Sequence, residues 1–139
     1  MKKYLLLSLT LIALCIASCN KYEEGPKFSL ASKKARIAGR WTPTQLLQDG
    51  VDVTANINRA YAQVRMDKKG GASLLNFSGN AIQNGTWEFE SDKENLALTF
   101  TGMDGVTYKE VFKILKLKKN ELWLEYTIDG HTYEDHWEQ

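Results

Sequence analysis

The chain has 139 residues, 18 of them Lys or Arg against 17 Asp or Glu, with 43% apolar residues, 25% charged residues and a formal charge of +1. That is material for one globular domain rather than two, too apolar for a disordered chain, and too evenly charged for a phosphate-reading nucleic-acid surface. Both cysteines, Cys15 and Cys19, lie near the amino terminus, so a body downstream of them carries no disulfide, thiolate metal site or thiol nucleophile.

Met1-Lys2-Lys3 is a short basic segment, and from Tyr4 to Ile16 only Ser8 and Thr10 break an apolar run. The run is too short for a comfortable membrane span of about 20 residues and fits an export signal over residues 1–18. It ends in Ile16-Ala17-Ser18-Cys19, which resembles the lipobox of a bacterial lipoprotein signal peptide. The resemblance implies cleavage before Cys19 and acylation of that cysteine, palmitate-type chains then holding the protein to a membrane. Cys15 follows the large Leu14 and fits the peptidase less well than Cys19 after Ala17 and Ser18. Loss of Lys2 and Lys3 with the signal moves the formal charge to -1.

Asn20, rather than aspartate, after the cysteine implies an outer-membrane position in a cell with two membranes. Lys21-Tyr22-Glu23-Glu24 faintly resembles the acidic signals that send Bacteroidetes lipoproteins to the cell surface. Which side of the membrane the domain faces stays open. Residues 19–38 read as the acylated cysteine, a tether without steady periodicity that contains Gly25 and Pro26, and a short helical turn within 30–38 that Gly39 stops.

From residue 39 to 139 the pattern is strand, turn, strand. Strands are predicted at 41–48, 61–67, 72–78, 86–90, 95–101, 106–117, 122–128 and 131–137. The connectors Asp49-Gly50, Gly70-Gly71, Asn84-Gly85, Asp104-Gly105 and Asp129-Gly130 tolerate positive φ, and 91–94 and 118–120 add two more turns. Links this short make neighbours antiparallel; only 50–60 is long, a loop or a brief helical turn. Trp87 and Phe89 alternate with Glu88 and Glu90, Leu96, Leu98 and Phe100 with Ala97 and Thr99, and Leu122, Leu124 and Tyr126 with Trp123 and Glu125. In the sixth strand the apolar register of Phe112 and Ile114 passes to Leu115 and Leu117, which either marks a bulge near Ile114 and Leu115 or an edge that loses alternation.

Eight antiparallel strands without a covering helix leave a closed barrel or a two-sheet sandwich, and the hairpin links favour an up-and-down barrel. Gly39-Arg40-Trp41, directly after a short helix and opening the first strand, resembles the Gly-x-Trp motif of lipocalins. With Asn84-Gly85-Thr86-Trp87-Glu88-Phe89 and Glu121-Leu122-Trp123-Leu124, the layout resembles the small lipocalin-like lipoproteins of Bacteroidetes over 39–137. The resemblance implies that Gly39 and Trp41 close one barrel end. The arginine that commonly packs across that tryptophan has no counterpart in the last strand, where Trp137 or His136 is the alternative plug.

Residues 41 to 139 hold four Trp, four Tyr and four Phe. The candidate barrel lining is Trp87, Phe89, Leu98, Phe100, Phe112, Leu124, Tyr126 and Tyr133. Such a set either encloses an apolar ligand or packs against itself as a filled core. Glu110 shares the register of Tyr108 and Phe112; it is either an inward acid that orients a ligand together with a tyrosine or, as favoured, a residue at the rim or outside, because an unpaired buried carboxylate is costly. Trp123, opposite the apolar set, is a candidate contact for a glycan or a protein, or lies under the tether. Lys109, Lys113, Lys116, Lys118 and Lys119 read as a solvated face.

His131 and His136 fall on opposite faces of one strand, so no metal site is expected, and no cofactor. No serine sits in a nucleophile elbow and no glycine loop cradles phosphate, so the reading is not an enzyme. The sequence therefore describes a membrane-anchored envelope lipoprotein, with no nucleic-acid partner, that binds a small apolar or amphipathic ligand in an eight-stranded lipocalin-like barrel. The alternatives are a filled-barrel interaction or inhibitor module with an envelope protein partner, and a glycan-binding accessory lipoprotein.

Overall fold

The computed structural model describes residues 32–56 and 58–139. The export signal, the lipobox cysteine Cys19 and most of the tether lie outside the described residues. Helix α1 (Lys33–Ile37) opens with the Ser32 hydroxyl accepting from the Ala35 N–H at 3.1 Å. Ile37 at its end is fully buried.

The strands are β1 (Gly39–Gln48), β2 (Val51–Asp52), β3 (Gln63–Met66), β4 (Gly71–Leu75), β5 (Ala81–Glu90), β6 (Asn95–Thr101), β7 (Thr107–Leu117), β8 (Glu121–Ile128) and β9 (His131–Glu138). β2 is a two-residue flap on β1; the other eight run as antiparallel neighbours, and β1 pairs with β9 to close the ring. The architecture is the eight-stranded up-and-down barrel expected from the hairpin links, and closure leaves no long free edge. A single 3-10 turn, Thr54–Asn56, occupies the long connector.

The register slips between Ile114 and Lys116, leaving Leu115 unpaired as a bulge. Leu117 thereby joins Ile114 in the inner core, as the swap in apolar register required. A second slip between Pro43 and Gln45 lets β1 pass from β3 to β9.

One expected turn is displaced. Asn84-Gly85 lies inside β5, paired with Ser73 and Ala72, and the chain reverses instead over 76–80. There the Asn76 side chain accepts from the N–H groups of Ser78 and Asn80, at 3.0 and 2.9 Å, and Gly79 takes the positive φ of 80°. Gly85 is needed for another reason: a Cβ there would collide with the Thr99 carbonyl of the neighbouring strand. The glycine marks a close backbone approach rather than a turn. The segment 79–85, left between two predicted strands, is accordingly mostly strand.

Other turns also lean on aspartates. Asp67 accepts from the N–H groups of Lys69 and Gly71 at 2.7 and 2.9 Å, and Asp104 from that of Val106 at 3.0 Å. Asp52 accepts from the Gln45 amide and the Thr54 N–H, both at 2.9 Å, which lowers its carboxyl from 3.8 to about 2. The carboxyls of Asp49, held first by His131, and of Asp67 and Asp104, held first by backbone N–H groups, are also lowered. Groups with depressed folded-state values stabilise the fold above the unfolded value near 3.8 and lose that contribution as pH falls through the folded value. The urea midpoint is therefore expected to drop steadily from about pH 4 to about pH 2. A midpoint flat over that range would show the turn carboxylates to be unimportant.

Candidate functional site

The register sorts the barrel into two ends. Helix α1 and the turns 67–70, 91–94 and 118–120 lie at one; the turns 49–50, 76–80, 102–106 and 129–130 lie at the other. The first end is filled. Trp41 is completely buried there, its indole N–H donating to the Ile37 carbonyl at 2.7 Å, so the helix end caps the tryptophan directly. The Gln139 side chain lies where a Cβ on Gly39 would stand, and its amide reaches the Arg36 carbonyl at 3.3 Å. Trp137 joins the same core, while His136 is outside, stacked 4.1 Å from Trp123.

Towards the second end the core gives way to an open-mouthed cavity of about 580 Å³. Of the expected lining, Leu98, Phe100, Phe112 and Tyr126 form its wall. Trp87, Phe89, Leu124 and Tyr133 do not. Trp87 donates to the Asp67 carbonyl at 2.8 Å in the turn at the filled end, and Phe89 packs edge-on against it. Leu124 is fully buried in the core, and Tyr133 stacks on Tyr126 at 5.4 Å. Alternation states which face a residue takes, not how far along the barrel axis it sits, and the four exclusions follow from that.

The polar part of the site went unrecognised in the sequence. Arg59, from the long connector, meets Asp135 of β9 through both Nη atoms, at 2.9 and 2.8 Å, and its Nη1 also donates to the Tyr61 hydroxyl at 3.3 Å. The side chains are 22% and 4% exposed, so the pair is largely withdrawn from water. Burial pushes the Asp135 carboxyl up while the Arg59 hydrogen bonds pull it back, and burial pushes the Tyr61 phenol up. Burial, followed by the Asp135 charge, raises Tyr126 to about 12, so it remains a neutral donor at physiological pH. Asp135 is legible in retrospect, since it lies between Tyr133 and Trp137 on the inward register of β9. Arg59 carries no such signal, because a long connector has no periodicity.

Glu110 and Tyr108 are exposed and border the cavity, in keeping with the expected rim position. Around the open end Phe77, Ile82, Met103 and Val106 are exposed apolar side chains. Trp123 is not a bare stacking platform: Lys116 Nζ lies 3.9 Å from its ring centroid and His136 stacks on it. The lysine cluster is largely paired, Lys109 with Glu88 and Glu90, Lys113 with Glu125 and Lys116 with Glu121. His131 meets Asp49 at 2.6 Å and His136 meets Glu134 at 2.5 Å; among the described residues no three His, Cys, Asp or Glu side chains gather as metal ligands.

No protein-family model matches the chain, and the curated proteins give no match. Among solved structures the chain is similar to a lipocalin-like protein from Bacteroides uniformis, at 18% identity over 75% of this chain and 98% of that one, with a TM-score of 0.51. It is also similar to an uncharacterized protein from Bacteroides eggerthii, at 16% identity over 71% of this chain and 97% of that one, with a TM-score of 0.46. At such identity the first likeness establishes the lipocalin-like fold and nothing finer.

Proposed function

We propose that this protein is a lipid-anchored lipocalin-like barrel of the bacterial envelope, of outer-membrane type, that binds a small apolar or amphipathic molecule without chemical turnover. The observation that carries the reading is the division of the barrel into a filled base and an open cavity of about 580 Å³ walled by aromatic and aliphatic side chains. That volume lies within the range of ordinary small-molecule pockets, roughly 300–1,000 Å³. Burial of ligand carbon supplies the affinity, at roughly 25 cal/mol per Å² of apolar surface removed from water. Attachment through an acylated Cys19 follows from the lipobox resemblance and keeps the cavity beside a membrane. A protein-docking role is the second reading, favoured by Phe77 and Met103, which stand almost wholly in solvent at the open rim.

The barrel ladder and core lie within the described residues, so a chain beginning at Asn20 retains every contact given above. Organic extraction of that purified chain, read by mass spectrometry, is expected to yield a stoichiometric small molecule. After stripping, an environment-sensitive apolar dye is expected to enter and to quench tryptophan emission, since Trp137 borders the cavity. Leu74→Trp, which fills space at the wall, is expected to weaken dye binding at least tenfold. If no molecule co-purifies and the dye stays out at high micromolar concentration, the binding reading falls.

A further inference from the structure

This inference rests on the cavity reading and specifies the chemistry of what the cavity accepts. Three formally charged side chains border it: Arg59, Asp135 and Glu110. An arginine inside a barrel would ordinarily be a receptor for a carboxylate, through its planar fork of donors. Here the fork is already occupied. Both Nη atoms of Arg59 face the two oxygens of Asp135, at 2.9 and 2.8 Å, and Nη1 also serves the Tyr61 hydroxyl. The pair sums to no net charge, and an arriving carboxylate would have to displace a covalently tethered one.

What remains is the charge on Glu110. It is exposed at the mouth, and among the described residues no cation forms an ion pair with it. The approach to the cavity is therefore electronegative. The neutral hydrogen-bonding groups that border the cavity, by contrast, suit an uncharged polar end. The Tyr126 phenol lines the cavity and keeps its proton, so it can donate to a ligand oxygen. A carbonyl, amide or ether oxygen is the acceptor such a donor takes.

We propose that the cavity selects uncharged amphiphiles, bearing a carbonyl, amide or ether oxygen, and rejects fatty carboxylates of the same chain length. Attraction for the ligand comes from the apolar wall; selectivity comes from repulsion at Glu110 and from the closed Arg59–Asp135 pair.

Dodecanamide and dodecanoate, used below their micelle concentrations at pH 7.5, test this by displacement of the dye from the stripped chain. The amide is expected to bind at least tenfold more tightly. Any apolar cavity disfavours an anion to some degree, so two variants separate the specific cause from the general one. Glu110→Gln, at an exposed position that leaves the core intact, is expected to narrow the ratio severalfold by improving dodecanoate alone. Asp135→Asn keeps the shape but frees the guanidinium, and is expected to turn Arg59 into a carboxylate receptor and raise dodecanoate affinity. Equal binding of the two probes, or a ratio unmoved by Glu110→Gln, would overturn the inference while leaving the cavity reading standing. Failure of both probes and of the dye to bind would remove both together.

Discussion

Replacing Trp41 with alanine is expected to cost about 4 kcal/mol of folding stability, in the range for deleting a large buried aromatic side chain. The residue is fully buried, in a core that includes Ile37 and Trp137, and its loss opens a void at the filled end. It also strands the Ile37 carbonyl, which accepts from the indole at 2.7 Å. Small domains are stable by only about 5–15 kcal/mol, so this one change removes a large share of the total. Trp41→Phe separates the two contributions. It keeps much of the volume but leaves the carbonyl unanswered, and is expected to cost about 1–2 kcal/mol beyond the lost carbon. Urea unfolding followed by circular dichroism decides the matter. A loss under 1 kcal/mol for the alanine variant would mean that the end stays closed without its tryptophan.

Asp135→Ala is expected to cost about 3 kcal/mol, the lower edge of what is seen when one member of a buried ion pair is removed. The lower edge applies because Arg59 is 22% exposed and can recover some hydration once its partner is gone. Arg59→Met alone leaves the Asp135 carboxylate, 4% exposed, without its counter-ion, and is expected to be comparably harmful. The double replacement Arg59→Met with Asp135→Leu puts apolar groups in both places and is expected to recover most of the loss, since an ion pair and a packed apolar pair of similar size can be close in stability. A double-mutant cycle by urea unfolding gives the coupling directly. Coupling below 0.5 kcal/mol would place the pair with ordinary surface salt bridges.

Much of the barrel was legible because its signals are local. The strands 95–101 and 131–137 were bounded within one residue by the turn aspartates and glycines beside them, and the bulge at Leu115 by a single break in alternation. The same locality caused the error at Asn84-Gly85. An Asn-Gly pair satisfies a tight turn, but it equally satisfies a strand that must let the Thr99 carbonyl come close, and only the neighbouring strand decides between them. The candidate lining divides between cavity and core for a related reason. Leu98 and Leu124 carry the same inward alternation and both belong to the buried core, yet only the first also borders the cavity.

Taken alone, the sequence determined a run of short antiparallel strands with alternating faces and favoured their closure into an eight-stranded barrel. Period-two hydrophobicity and turn chemistry operate over a few neighbouring residues, so they survive in a one-dimensional reading. The tertiary structure decided that the barrel is filled at one end and hollow at the other, and that the hollow contains a neutralised arginine. Arg59 and Asp135 lie 76 residues apart and meet only because β1 and β9 close the ring beneath the long connector. Ring closure sets axial depth and pairs distant charges, and no local pattern carries either quantity.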